Sequence, residues 1–177
     1  MKSLKECSEK LCSFYVSNAH LVTMLIPYLS RKIKEGNNFI IFTQNNLENE
    51  VEMLLSKINI KEEEKQKIKN INWKKSLYQE NVIKEKLENN IENLYIIING
   101  DNEYVEKINE KVERINEKNK KNVTIIDCYE VLQVNQEINK ILNNHDKILN
   151  TSGEKEISEV FQGYQKDNNL NKERKII

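Results

Sequence analysis

The chain has 177 residues, the size of a single domain with at most a short extension. Its 28 Lys and Arg residues balance its 28 Asp and Glu residues, so the formal net charge is zero. This balance argues against a protein that holds nucleic acid or an anionic membrane mainly by charge, because both need a basic excess or patch. With 4 Gly and 1 Pro, the chain resembles neither collagen nor a Pro/Gly-rich disordered protein.

The cysteines and the N-terminus predict a cytoplasmic protein. The sequence has three cysteines, an odd number, and no two of them have the Cys-x-x-Cys spacing of a metal site. The first ten residues lack the apolar core of a secretory signal. The longest apolar run, 21–29, is broken by Thr23 and Pro27 and is too short to span a bilayer. We therefore expect free thiols and no membrane partner.

Continuous apolar runs alternate along the chain with stretches whose apolar residues recur at helical spacing. The runs predict strands over 11–16, 39–42, 94–98 and 123–128, a short edge strand at 71–73 and a last short strand at 148–149. The amphipathic stretches predict helices over 19–35, 47–57, 61–70, 79–90, 102–119, 134–143 and 154–164. Asn18 is expected to cap the first helix, and Gly36 to end it.

This order predicts an α/β fold of three layers, with a mainly parallel sheet and helices on both faces, because the strands are apolar on both sides. The domain is expected to span 1–150. Residues 151–177 are polar and are expected to form a C-terminal tail that is partly helical or disordered.

Polar residues follow the predicted strands, where open parallel sheets bind ligands beyond the carboxyl ends of their strands. We expect a ligand-binding crevice there. His145, which follows the predicted helix 134–143, is counted with them. The candidate residues are Ser17, His20, Thr43, Gln44, Asp101, Asp127, Tyr129 and His145. Helix capping and turn formation are the commoner roles of such residues at strand–helix junctions, and they remain the alternative for each of them.

Two positions in and beside this set have further alternatives. His145 follows helix 134–143, where bonding to the last helix carbonyls is the commoner role and ligand contact the alternative. Cys128 is expected to be a half-buried structural thiol rather than a nucleophile, because the adjacent Asp127 raises its pKa. A hydrolase or transferase site around Asp101 and Asp127 is the weaker alternative.

The signatures of nucleotide enzymes are missing from the sequence. No G-x-x-x-x-G-K-[ST] and no G-x-G-x-x-G occurs, and the first predicted strand runs into residues 17–20 without a glycine. A phosphate-binding loop needs glycines so that its main-chain amides can approach the phosphates. Two histidines among scattered carboxylates define no metal site, and Trp73 with Tyr78 is too little for a nucleic-acid platform. We expect no catalysis, no cofactor and no metal.

Several segments together are similar to one known family. They are the strand 12–17, the turn Pro27-Tyr28-Leu29, the helix end 33–36, the strand 39–43, the segment Asp127-Cys128-Tyr129 and the closing segment 142–149. In this order they resemble the MEDS domain, the methanogen/methylotroph DcmR sensory domain, over roughly residues 8–150, and the chain would be a divergent stand-alone member.

The resemblance implies a RecA/KaiC-like fold without a phosphate-binding loop and a non-catalytic sensory domain. It implies a small organic ligand, such as a hydrocarbon derivative, and a signalling protein as partner. The sequence contains no helix-turn-helix with a basic helix and no kinase motif, so the output is expected to act in trans on a transcriptional or histidine-kinase pathway. The alternative is a protein–protein adaptor on a degenerate NTPase fold, with no small-molecule ligand.

Overall fold

A computed structural model describes residues 8–75, 80–89 and 93–166 of the chain. Its strands are β1 Ser8–Tyr15, β2 Asn38–Thr43, β3 Asn93–Asn99, β4 Asn122–Glu130, β5 Lys147–Asn150 and β6 Gly153–Glu156. Its helices are α1 Asn18–Lys34, α2 Glu48–Lys57, α3 Glu62–Lys69, α4 Glu80–Glu88, α5 Asn102–Asn119, α6 Val131–Val134, α7 Ile138–Asn143 and α8 Ile157–Val160.

The six strands form one sheet in the order β2-β3-β4-β1-β5-β6. The first five strands of that order run parallel, and only β6 pairs antiparallel, with β5. The predicted α/β fold with a mainly parallel sheet is therefore confirmed. The strands β2, β3 and β4 are continuous apolar runs because both of their faces are covered by packed side chains.

Two separate apolar cores lie on the two faces of the sheet. On one face, α1, α2 and α3 pack against side chains such as Leu11, Ile41 and Ile126. On the other face, α4, α5 and α7 pack against side chains such as Ile40 and Ile125. Successive residues of a strand point to opposite faces, so the alternation along each strand decides which core a residue joins.

The strand order reverses at β1 and β4, and this is where ligands commonly bind in such sheets. These strands are neighbours, with Tyr15 beside Glu130 at their carboxyl ends. The chain leaves β1 into α1 on one face and leaves β4 toward α7 on the other. Helices α1 and α7 therefore diverge from two adjacent strands.

Helix α1 is capped at both ends. Ser17, not Asn18 as predicted, is the N-cap, and its side chain accepts a hydrogen bond from the His20 amide. At the other end the predicted Gly36 has a φ of +86°, and its N–H donates to the Ile33 carbonyl. The Asn37 N–H reaches back to the Lys32 carbonyl, which completes a Schellman motif.

Three element predictions were wrong. Residues 71–73 form no strand, because Trp73 turns inward, is 2% exposed and donates from its indole to the Ile68 carbonyl. The helix predicted over 134–143 is split into α6 and α7 by a turn. The helix predicted over 154–164 shrinks to α8, because the preceding residues extend the sheet as β6. Tyr78 and the tail from residue 167 lie outside the described residues.

Within the described parts of the chain, none of the helices combines the length and the apolar character that crossing a membrane requires.

Candidate functional site

The predicted site residues fall into two groups that do not meet. Five of them lie at the carboxyl ends of the strands: Ser17, His20, Thr43, Gln44 and Asp101. We call this region the rim, and it includes Tyr15 and Asn99, the last residues of β1 and β3. The other three, Asp127, Tyr129 and His145, lie in the core between the sheet and helices α5 and α7. For Asp127 and Tyr129 the reason is that β4 does not end at 128 as predicted but continues to Glu130, so both residues lie within the strand.

At the first part of the rim, Ser17 and His20 form hydrogen bonds at the N-terminal end of α1. Ser17 accepts from the His20 amide at 3.2 Å. The His20 ring accepts from the Val16 amide through Nδ1, also at 3.2 Å. Both side chains thus satisfy main-chain donors that would otherwise be free at the helix N-terminus.

The second part of the rim is a buried network around Asn99. Its side-chain oxygen accepts from the Tyr15 hydroxyl at 2.6 Å, and its nitrogen donates to the Thr43 hydroxyl at 2.9 Å. Thr43 in turn donates to the Asn45 carbonyl. Asn99 and Thr43 are fully buried, so this network crosslinks the ends of β1, β3 and β2 in a dry environment.

Gln44 and Asp101 bind each other at the third part of the rim. The Gln44 amide nitrogen donates to Asp101 at 3.2 Å, and the main-chain amide of Asp101 donates to the Gln44 side-chain oxygen at 2.7 Å. Asp101 also caps α5 by accepting from the Tyr104 amide. The rim residues therefore act as caps and crosslinks, and ligand binding by them stays a prediction.

In the core, Asp127 lies in the middle of the sheet. It is 1% exposed and stands between Cys12 of β1 and Ile98 of β3. The alternation along β4 turns Asp127 to the same face as Ile125 and Tyr129, toward α5 and α7. A carboxylate at such a position is costly unless it is paired and hydrogen-bonded.

Asp127 has two polar partners from different elements. One carboxylate oxygen accepts from the Asn109 side-chain amide of α5 at 2.9 Å, and the other lies 2.7 Å from Nε2 of His145. His145 is 3% exposed, and its Nδ1 lies 2.5 Å from the Ile141 carbonyl of α7. The predicted bond from His145 to a last-turn helix carbonyl is thereby confirmed, whereas sequence reasoning missed the Asp127 partner and Asn109.

The two ring nitrogens of His145 both face acceptors. A carbonyl oxygen only accepts, so Nδ1 carries a proton toward Ile141. The contact at Nε2 then needs one more proton, held by the imidazole or by the Asp127 carboxyl, and in either case the pair carries no net charge. His145 is therefore left with no free nitrogen toward the surrounding space.

A cavity of about 530 Å³ opens beside this pair, between α5 and α7. Buried groups lie at its inner part, while exposed charged side chains of α5 and α7 surround its mouth. Its lining includes Asn109, Glu110, Tyr129, Ile141, Asn144 and His145. Its size is within the range of small-molecule sites, roughly 300–1,000 Å³.

Three groups that line the cavity have unused hydrogen-bonding capacity. The side-chain oxygen of Asn109 is buried without a partner. The Tyr129 hydroxyl makes no hydrogen bond to any residue that the structure describes, although the side chain is 3% exposed. Glu110 forms no ion pair with the described part of the chain. Buried polar groups in native proteins are normally satisfied, so the buried, unmet oxygen of Asn109 distinguishes the cavity from the rim.

The thiols and the tyrosine near Asp127 stay protonated. Burial, and secondarily the charge of Asp127, raise the pKa of Cys128 well above its usual value and that of Cys12 to about 12. The same two causes raise the pKa of Tyr129. The prediction of an unreactive Cys128 agrees with this environment, since the thiolate is the nucleophilic form.

No group of three or more His, Cys, Asp and Glu side chains that could hold a metal ion occurs within residues 8–75, 80–89 and 93–166.

Comparison with known proteins identifies no relative. No family model matches the chain, no curated protein is significantly similar to it, and no solved structure matches its fold at a significant level.

Proposed function

We propose that the chain is a non-catalytic sensory domain that receives a small organic ligand in the cavity between α5 and α7 and acts on a signalling protein in trans. The observation that carries this proposal is the buried polar floor of the cavity. Asn109, whose side-chain oxygen is buried without a partner, and Tyr129, whose hydroxyl bonds no described residue, both line a space large enough for a small molecule. Binding a ligand would satisfy both groups, which is favourable because unmet buried polar groups are costly.

The environment of His145 supports a role without catalysis. A histidine that acts as general base is held by a carboxylate through one ring nitrogen and faces the nucleophile or substrate with the other. In this chain the second nitrogen faces the Ile141 carbonyl. The nearby thiol of Cys12 stays protonated, so neither a histidine base nor a thiolate nucleophile is directed into the cavity.

A path from the cavity to the C-terminal segment supports a sensory role. The Asn143 side chain of α7 accepts from the Tyr164 hydroxyl, and the Lys166 ammonium donates to the His145 carbonyl. Phe161 packs edge-on against Phe14 of β1. A ligand that shifts α7 would therefore change the docking of residues 161–166, which a partner protein could read.

The test compares two matched variants of the full chain in a thermal-shift screen of small organic molecules. Asn144 lines the cavity and caps the C-terminus of α7, while Asn135 is exposed and caps α6 in the same backbone conformation. Asn144→Trp fills the cavity, and Asn135→Trp adds the same bulk outside it. We expect compounds that raise the melting temperature of the wild type to act equally on Asn135→Trp and to lose their effect on Asn144→Trp.

The proposal fails if no compound stabilises the wild type, or if stabilising compounds act on Asn144→Trp as on the wild type. Circular dichroism of both variants establishes that each is folded before the screen is read.

A protein–protein adaptor is the second candidate, favoured by two exposed apolar side chains. Val16 follows β1 and is 62% exposed, and Leu132 follows β4 and is 75% exposed. They come after paired residues of neighbouring strands. For an adaptor, Val16→Ser with Leu132→Ser would abolish capture of a partner from native extract, whereas Asn144→Trp would leave it intact. Loss of capture in Asn144→Trp alone would contradict the adaptor.

A further inference from the structure

The charges around the cavity leave one negative charge uncompensated. Lys10 lies 3.5 Å from Glu113, and Lys140 lies 3.7 Å from Glu106. The Asp127–His145 pair is neutral as a unit, as its hydrogen bonds require. Of the charged side chains that line the cavity, this leaves Glu110.

The two cavity groups that lack a partner among the described residues, the Asn109 side-chain oxygen and the Tyr129 hydroxyl, can both accept a hydrogen bond. The Asn109 side-chain oxygen is an acceptor, and the side-chain nitrogen already donates to Asp127 and to the Val105 carbonyl. The Tyr129 hydroxyl accepts or donates. The cationic donors of the lining, Lys10 and Lys140, already face carboxylates. The complementary ligand therefore brings hydrogen-bond donors and a positive charge.

The remaining wall of the cavity suits an aliphatic chain. Val105 and Ile141 are buried and line it. The Tyr129 ring, which also lines the cavity, stands edge-on to His145, with the ring centroids 6.4 Å apart. A metal ion is a poor match, because no cluster of three ligating side chains is found among the described residues.

We propose that the ligand of this cavity is a small aliphatic primary amine in its ammonium form, with the ammonium between Asn109, Tyr129 and Glu110. This inference rests on the proposed function, since it names the ligand class for the same cavity. The chain then discriminates by charge: an amine binds, and a carboxylate of the same length is repelled by Glu110.

The test uses three probes of equal length and different charge: n-butylammonium, 1-butanol and butyrate. Each is titrated calorimetrically into the full chain at neutral pH and constant ionic strength. We expect n-butylammonium to bind at least about tenfold more tightly than butyrate, with butanol between them, because a single exposed charge changes from attractive to repulsive.

Two variants locate the ammonium, and one controls for overall charge. Glu110→Gln is expected to weaken n-butylammonium about threefold to fivefold and to strengthen butyrate. Tyr129→Phe keeps the ring and removes the hydroxyl, and it is expected to weaken the amine by a similar factor. Glu117→Gln changes the same charge on the same helix at an exposed position outside the cavity lining and is expected to leave all three affinities unchanged.

The inference is overturned if butyrate binds as tightly as the amine, if n-butylammonium does not bind, or if Glu117→Gln weakens the amine as much as Glu110→Gln does. The proposed function fails separately. If the amine fails while another compound from the screen loses its effect on Asn144→Trp, only the ligand class is wrong. If no compound distinguishes Asn144→Trp from Asn135→Trp, the cavity itself is not the site.

Discussion

The rim and the cavity are both rich in polar side chains, but they differ in what those side chains bind. At the rim, Tyr15, Asn99 and Thr43 satisfy one another, and Gln44 is joined to Asp101. In the cavity, Asn109 and Tyr129 retain hydrogen-bonding groups that no described residue meets. A polar cluster that satisfies itself stabilises the fold, whereas the unmet groups of the cavity are the ones for which we propose a ligand. We therefore expect the two regions to respond differently to mutation and to ligand.

The largest effect is expected from Asp127→Ala. The change leaves Nε2 of His145 buried without the carboxyl oxygen that lies 2.7 Å from it, and it removes a partner of Asn109. Breaking a buried pair in this way costs about 3–5 kcal/mol of the free energy of unfolding. Urea denaturation measures it. Asp101→Ala, at the rim, is the matched control and is expected to cost only about 1 kcal/mol, the value of a helix cap. Equal losses in the two variants would contradict the difference between the regions.

A smaller effect is expected from Asn99→Ala at the rim. The variant leaves the Tyr15 and Thr43 hydroxyls without their buried partner and should lower the free energy of unfolding by about 2 kcal/mol. Its affinity for any cavity ligand should stay that of the wild type, because Asn99 belongs to the rim and does not line the cavity. A parallel loss of ligand affinity would show that the two regions are coupled.

Tyr15 at the rim is expected to make the free energy of unfolding depend on pH in the alkaline range. Burial, more than the nearby charges, raises the pKa of Tyr15 to about 12 from its ordinary 10. A folded-state pKa above the unfolded one stabilises the fold below pH 10, and this contribution is lost as the pH rises toward 12. The stability deficit of Tyr15→Phe, about 1 kcal/mol at pH 8 from its lost hydrogen bond, should therefore shrink over that interval. Denaturation at a series of pH values tests this, and a constant or growing deficit would contradict it.

The smallest effect on stability is expected from Glu110→Gln at the mouth of the cavity. Glu110 is exposed and has no ion-pair partner in the described part of the chain, so the free energy of unfolding should change by less than about 0.5 kcal/mol. The same variant is expected to lose affinity for the amine. A clear loss of stability would mean that Glu110 supports the fold rather than the ligand.

The fold could be predicted because its signals are local. The apolar runs of β2 and β3 and the helical spacing of α5 each decide their own element. Strand β6, with the sequence GEKE, could not be predicted, since an edge strand needs no apolar run and owes its form to pairing with β5. Trp73 was misassigned because an inward-turned aromatic residue resembles a strand residue in sequence.

The cavity could be predicted only in part. Asp127 and His145 were recognised singly, but 18 residues separate them and only the packing of α7 on the sheet joins them. Asn109 carried a local signal, because it is a polar residue on the apolar stripe of α5, between Val105 and Val112. The resemblance to the MEDS domain remains a prediction, as does the sensory role attached to it.

The most direct test of the cavity as the ligand site follows the side-chain amide signals of Asn109 and Asn99 by NMR. The wild-type chain is titrated with n-butylammonium or with the most stabilising compound of the screen. We predict that the Asn109 signals shift and saturate, because its unpartnered oxygen gains a donor, while those of Asn99 stay unmoved. Saturating shifts at Asn99 with Asn109 unchanged would place the ligand at the rim and contradict a site in the cavity.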